Sequence, residues 1–456
     1  MSLDAAASSY SFRDPRSHVA VDGETVRRTI RTGDVVVARQ IEKLCVDLAS
    51  KRLVRAPRSL SVEPDGLMVV EHEPITVWNY PWEWCWSQLR DAALAQLRVI
   101  ECARGHDLTL SDASSFNMTF AAGRPEFVDF GSFVQRDRAE PWWGYQQFCE
   151  QFLYPLLLTA HTGADFRASL MGGVGTIPLE QASMQLRKYK RFPGVIHHVL
   201  LPAMLSRKTD ITTAVAKGVG VPVDTTERVV RSLRSLIEGL EYQLPPSTWS
   251  GYSNRTHYKD AELARKEEFV AGVVGALQPG IVLDLGCNDG KFSQVALRAG
   301  ATLVIASDSD EIVVERLYRD VRDRGIEGVL PLVHDVMNPS PSLGWRGSER
   351  QSFATRVRPD LALLLAVIHH VVIGNNVPML ELALWMRSFE CPIVVEVPER
   401  ADEKVQHLLA RKSCPGDIGY SVDLFEAAIV PHFWIDRRVS VHDTRHIYYL
   451  LPRRRE

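Results

Sequence analysis

Ile281 to Asp310 reads IVLDLGCNDGKFSQVALRAGATLVIASDSD, and this stretch decides the fold. It opens with a short, β-branched apolar run, Ile281–Leu285, of the kind that forms a buried parallel strand. Gly286-Cys287-Asn288-Asp289-Gly290 follows, a turn of residues that tolerate unusual backbone angles. Lys291–Arg298 has helical spacing and is closed by Gly300. A second apolar run ends in Ser307-Asp308. Strand, glycine turn, helix, strand and acid make half of a nucleotide-binding α/β fold. In such a fold an adenosine-bearing ligand lies over the glycine turn, and an acid at the second strand's tip accepts its ribose hydroxyls.

The glycines are spaced G-x-x-x-G, whereas a dinucleotide site wants G-x-G-x-x-G to receive a pyrophosphate on a helix N-terminus. Asp284 precedes them and Asp289 lies between them. Two carboxylates repel a pyrophosphate but suit a cationic sulfonium with an amino-acid tail, whose ammonium end Asp284 can organise. The stretch resembles motif I of the class I S-adenosylmethionine (SAM) methyltransferases, D-x-G-x-G-x-G, with Asn288 in place of the middle glycine. The resemblance implies a cofactor site made of Asp284, Gly286, Asn288 and Gly290, with Asp308 on the ribose.

Downstream the alternation continues. A helix over Asp310–Arg324 leads to a third strand, Val329–Val333, ending in His334-Asp335; Asp335 matches the family's acid near the adenine amino group. Asp360 to Ile368 reads as a fully buried fourth strand with His369 and His370 at its carboxyl tip, the edge at which open α/β sheets hold ligands. A helix, Val377–Phe389, precedes a fifth strand, Pro392–Val397, which carries Glu396. Trp434–Val441 and His446–Leu451 are joined around Asp443-Thr444, too short for a parallel crossover, so they form an antiparallel hairpin. A parallel sheet ending in such a hairpin departs from the all-parallel dinucleotide fold. The expected fold of residues 281–456 is therefore a Rossmann-like α/β class I methyltransferase.

Upstream, residues 1–20 read as a flexible lead. Strand-like pieces follow at Thr25–Ile30, Val35–Ala38, Ser59–Val62 and Leu67–Glu71, with a helix over Gln40–Lys51. Trp78, Tyr80, Trp82 and Trp84 read as core packing ahead of a helix, Ser87–Ala103. Asp112, with Asn117 five positions on and then Asp129-Phe130-Gly131, resembles the protein-kinase catalytic loop H-R-D-x-x-x-x-N and the D-F-G that follows it. Leu110-Ser111 replaces the His-Arg pair, no glycine-rich loop precedes, and Arg39 stands where a lysine belongs. Residues 21–244 are thus expected to be an α+β, degenerate kinase-like domain, with nucleotide binding without transfer left open. Residues 245–280 read as a linker and a pre-core lid helix, with Tyr252 and Tyr258 as lid candidates.

At 456 residues the chain holds two or three domains. Its net charge of −3 makes no electrostatic case for nucleic acid, and no stretch approaches a membrane span. Seven scattered cysteines without a C-x-x-C pair argue against a zinc site or disulfide framework and fit a reducing cytoplasm. YPWEWCWSQLRDAALAQL, LSDASSFNMTF with RPEFVDFGSF, VLDLGCNDGKFS, VLPLVHDVMNPSPSLGW, LLAVIHH and IVVEVPE together resemble the NoeA-type nodulation-protein family of SAM-dependent methyltransferases. The resemblance implies SAM as cofactor and a small-molecule or carbohydrate-linked acceptor. His369, His370 or Glu396 is the candidate base or acceptor-positioning group, and no metal is expected. A kinase-like phosphotransferase and a SAM- or nucleotide-sensing regulatory protein are the alternatives.

Overall fold

The computed structural model describes residues 14–121, 123–137, 142–206, 225–244, 260–414 and 418–454. The chain divides into two compact units, Met1–Leu244 with Ser342–Gln351, and Pro245–Pro341 with Ser352–Glu456. Tyr252, Tyr258 and the linker that starts at Pro245 lie outside the described residues.

In the first unit, β1 (Ser17–Asp22), β2 (Thr25–Arg31), β3 (Ser59–Val62) and β4 (Leu67–His72) form an antiparallel sheet of order β1-β2-β4-β3. β1 begins inside the expected lead, its pairing with β2 fixing Ser17 opposite Ile30. Val35–Ala38, expected as a strand, is instead the first turn of α1 (Val35–Ser50). The Asp34 side chain accepts from the Val36 N–H at 2.7 Å, and this cap carries the β-branched run into the helix. Arg39 therefore sits on α1, paired with Glu42 at 2.8 Å.

Tyr80, Trp82 and Trp84 of the aromatic segment are core, and Trp78 is half-buried. Trp84 is fully buried against Phe120, with ring centroids 5.2 Å apart. Buried Asn79 ties the two together: its Oδ1 accepts from Trp84 Nε1 at 2.7 Å and from the Phe120 N–H at 3.0 Å. Behind it run α2 (Trp86–Gly105) and α3 (Thr225–Glu238), joined by the Arg234–Glu101 ion pair at 2.7 Å. This part also holds two short antiparallel pairs, β5 (Leu108–Leu110) with β8 (Phe133–Gln135) and β6 (Met118–Ala121) with β7 (Arg124–Phe127), and further helices between Tyr145 and Ser206. Ser342–Gln351 belongs to this unit as well. The Gln351 N–H donates to Tyr80 Oη at 2.9 Å, and the Arg350 guanidinium lies 4.1 Å from the Phe116 ring centre.

The second unit is a twisted sheet of order β11-β10-β9-β12-β13-β15-β14. Its strands are β9 (Ile281–Leu285), β10 (Leu303–Asp308), β11 (Val329–Val333), β12 (Leu361–Leu364), β13 (Ile393–Pro398), β14 (Phe433–His442) and β15 (Arg445–Pro452). β9 to β13 pair in parallel, and β15 inserts antiparallel between β13 and β14. The helices include α4 (Asp260–Leu277), α5 (Lys291–Arg298), α6 (Glu311–Asp323), α7 (Met379–Arg387), α8 (Glu403–Leu409) and α9 (Val422–Ile429). Phe269, Val270, Val273 and Val274 of α4 pack with Val282, Leu361, Leu363 and Val394 of the sheet in one buried cluster. Strand order turns back on itself between β9 and β12, so the ligand edge lies over their carboxyl ends. β12 stops at Leu364, short of the strand expected to reach the histidines. Ala366 takes φ +58°, which no strand tolerates, and His370–Gly374 forms a π-helical turn. Among the described residues no helix is long and apolar enough to cross a membrane.

Candidate functional site

The glycine turn after β9 is built from left-handed residues: Gly286 at φ +72°, Asn288 at +49° and Gly290 at +71°. A Cβ on Gly286 would stand 2.7 Å from Val367 Cγ2, and one on Gly290 would stand 2.5 Å from Leu317 Cδ1. Both positions need glycine for space as well as for angle. Asn288 tolerates the left-handed region because its Oδ1 accepts locally, from the Asp289 N–H at 2.7 Å. The Gly286 and Cys287 N–H groups donate to the Ser307 carbonyl at 2.8 and 3.0 Å, locking the turn to β10.

Asp308, at the tip of β10, accepts from the Asn288 N–H through Oδ2 at 3.1 Å and from the Asp310 N–H through Oδ1 at 3.0 Å. Burial pushes its carboxyl up, against these backbone donors. Asp284 is buried beneath the turn, and Ser293 Oγ donates to its Oδ2 at 2.6 Å. Burial pushes Asp284 up to about 6, with Ser293 and Lys266 opposing and Asp308 and Asp289 adding. Past β11, His334 stacks on Phe353 with centroids 3.8 Å apart, and Asp335 Oδ1 accepts from the Met337 N–H at 2.8 Å.

Asp284, Gly286, Asn288, Asp308, His334 and Asp335 line one cavity of about 390 Å³, within the ~300–1,000 Å³ of small-molecule sites. Its lining follows the strand tips from Asp335 and Asp308 across the glycine turn to Val367 and His370. The structure thus brings Asp284, Gly286, Asn288, Asp308, Asp335 and His370 to one wall. Gly290 lies in the same turn, behind that lining, as the residue before α5.

His369 is placed differently. It is 1% exposed and does not line the cavity, and its Nδ1 has no hydrogen-bond partner among the described residues. Burial, with His370 and Arg445 nearby, pushes it down to about 3, so the ring is neutral. Its centroid lies 4.2 Å from that of His370. The half-buried His370 is also pushed down, first by burial and then by Arg445 and Lys404.

Glu396 is fully buried and ion-paired on both oxygens, Oε2 with Lys266 and Oε1 with Arg445 at 3.3 Å. Arg445 in turn grips Asp402 through Nε at 2.7 Å and Nη2 at 3.0 Å. Lys266, from α4, is 3% exposed, lies 4.8 Å from the Phe292 ring centre and lines the cavity. Sequence reasoning missed Lys266, Phe292 and Arg445. Leu263, Lys266 and Val270 recur at helical spacing, which puts Lys266 on the apolar face of α4 and is the signal that could have found it.

In the first unit, Asp112 and Asn117 share one turn, and Asp129 is held by other partners. Asp112 Oδ1 accepts from the Ser114 N–H at 2.8 Å, and Asn117 Nδ2 donates to the Asp112 carbonyl at 3.3 Å. Asp129 Oδ1 is held by Arg28 Nη1 at 2.8 Å and by the Gly131 N–H at 3.2 Å. Burial pushes the Asp129 carboxyl up, with Arg28 opposing and Asp112 adding. Among the described residues no group of three His, Cys, Asp or Glu side chains could hold a metal ion.

Residues 252–346 match the FtsJ-like methyltransferase family. The chain is 32% identical over 435 residues to the nodulation protein NoeA of Rhizobium meliloti (strain 1021), covering 92% of this chain and 90% of that protein. It is 34% identical over 103 residues to a ribosomal protein L11 methyltransferase of Herpetosiphon aurantiacus, covering 21% of this chain and 32% of that one. Among solved structures, magnesium protoporphyrin IX methyltransferase (ChlM) from Synechocystis PCC 6803, with bound SAM, aligns over 45% of this chain and 92% of its own. The identity there is 19% and the TM-score 0.28.

Proposed function

The chain belongs to the family of the nodulation protein NoeA, and we propose that this SAM-dependent methyltransferase acts on a small-molecule or carbohydrate-linked acceptor that meets it at His370. The observation that carries this reading is the single cavity whose lining runs from Asp335 and Asp308 to His370 along the strand tips. Its donor set suits SAM. Carboxylates and a glycine turn face a ligand with cationic groups and ribose hydroxyls. SAM supplies an electrophilic methyl group on a sulfonium.

The chain's own residues do the rest. Asp308, fixed by two backbone donors, is oriented to accept ribose hydroxyls. His370 is neutral near pH 7, so a ring nitrogen can take the proton of an acceptor hydroxyl or hold that hydroxyl in line. His369 acts as a positioning residue, its ring against that of His370. Glu396, enclosed by two cations, holds Lys266 at the cavity wall rather than meeting the acceptor.

Calorimetric titration of SAM, and separately of NAD, tests the cofactor half. Binding of SAM alone, lost in Asp308→Ala, is the expected result; NAD binding would replace this reading with an oxidoreductase. For the acceptor half, His370→Asn should leave SAM affinity unchanged and cut turnover by about 10²- to 10⁴-fold. Because burial lowers the His370 pKa, the acid limb of the wild-type turnover profile should lie below that of an unperturbed histidine, turnover falling as the ring protonates.

A second reading concerns the first unit. We propose that it is a kinase-like scaffold without phosphotransfer. The support is the sheet order β1-β2-β4-β3 with α1 between β2 and β3, and Arg28 of β2 resting on Asp129. A guanidinium there fills with a fixed cation the place where a carboxylate would otherwise attract magnesium. Magnesium-dependent ATP hydrolysis abolished by Asp129→Ala would refute it.

A further inference from the structure

We propose that Lys266 receives the α-carboxylate of SAM while Asp284 holds its α-ammonium, so that the two side chains read the cofactor's amino-acid end as a zwitterion. The inference rests on the methyltransferase reading above. Asp284, Asp289, Asp308 and Asp335 line the cavity, and among its described lining residues Lys266 is the one lysine or arginine. The lining histidines are neutral, because burial holds His334 at about 3 and lowers His370. A wall of four carboxylates and one ammonium matches a ligand that carries two positive groups and one negative group.

The position of the ammonium fits that match. Sheet order puts Asp335 and Asp308 at the tips of β11 and β10, on one side of the glycine turn. Lys266 lies on the other side, beside Glu396 of β13 and Phe292 of α5. A ligand with its ribose on Asp308 extends its amino-acid arm past Asp284 toward Lys266. Burying an ammonium is costly unless it is paired. Here Lys266, Glu396, Arg445 and Asp402 alternate in sign, and the chain presents its positive end to the cavity. Glu396 fixes the direction of the ammonium.

Decarboxylated SAM, which keeps the adenosine, sulfonium and amine but lacks the carboxylate, tests this directly by calorimetry. Wild-type protein should prefer SAM. Lys266→Met should lose about ten- to hundredfold in SAM affinity and stay within about twofold of wild type for decarboxylated SAM. Lys266→Arg should restore the preference. If Lys266→Met is unstable, Lys266→Met/Glu396→Gln removes both charges and should show the same loss of preference. Equal loss of both ligands, or no preference in wild type, would overturn the assignment. So would unchanged SAM affinity with lost turnover, which would move Lys266 to the acceptor. Failure of wild type to bind either ligand would instead overturn the methyltransferase reading itself.

Discussion

At the scale of single residues, the site is a set of charges held out of water, and Asp284 shows what that entails. Its carboxyl moves from an ordinary 3.8 to about 6, chiefly through burial. A carboxyl whose folded pKa lies above its unfolded value costs stability wherever it is ionised. The cost is absent below about pH 4, grows between about pH 4 and 6, and is full above that, at most about 3 kcal/mol. Asp284→Asn keeps an oxygen to accept from Ser293 and removes the charge. Without ligand, the variant should be more stable than wild type at pH 8, with the difference vanishing near pH 4 in urea titrations. Its SAM affinity should fall, because the lost charge is the one that meets the ligand's ammonium. A variant no more stable than wild type at pH 8 would mean that Asp284 is better compensated than its burial implies.

At the scale of elements, what was legible in the sequence is what is written locally. The β9 run, its glycine turn and the β14–β15 hairpin are each specified within a few residues, and each stands where its pattern put it. Pattern alone failed where a neighbour or a distant partner decides. The apolar run Val35–Ala38 looks like a strand until Asp34 caps it, and Leu361–Ile368 looks continuous until Ala366 turns left-handed. Lys266–Glu396 joins residues 130 positions apart and Arg28–Asp129 residues 101 apart, so no window of sequence contains either pair. Asp402 tests how such a pair and a local signal combine. Its Oδ1 caps α8 by accepting from the Lys404 N–H at 2.9 Å, while both oxygens bind Arg445. Asp402→Asn keeps the cap and loses the charge; Asp402→Ala loses both. Chemical denaturation should show both variants destabilised, by about 3 kcal/mol or more for the broken buried pair, with Ala worse than Asn by about 1 kcal/mol. Equal losses would show that the cap contributes nothing beyond the ion pair.

At the scale of the whole molecule, the two units carry separate cores, one around Trp84, Phe120, Phe148 and Phe152 and the other around the parallel sheet. The excursion Ser342–Gln351 is bound within the first unit through Tyr80 and Phe116. A chain of this kind should not unfold in a single step. Scanning calorimetry should resolve two transitions that answer to different perturbations. SAM at a hundred times its Kd should add about 2.7 kcal/mol to the unit that binds it and raise that transition alone. Arg28→Ala leaves Asp129 without its cation in a site where both side chains are under 20% exposed. Its cost, on the order of 2–3 kcal/mol for a partly buried pair, should lower the other transition and leave SAM affinity where it was. If the ligand and the substitution moved the same transition, the two units would be energetically one.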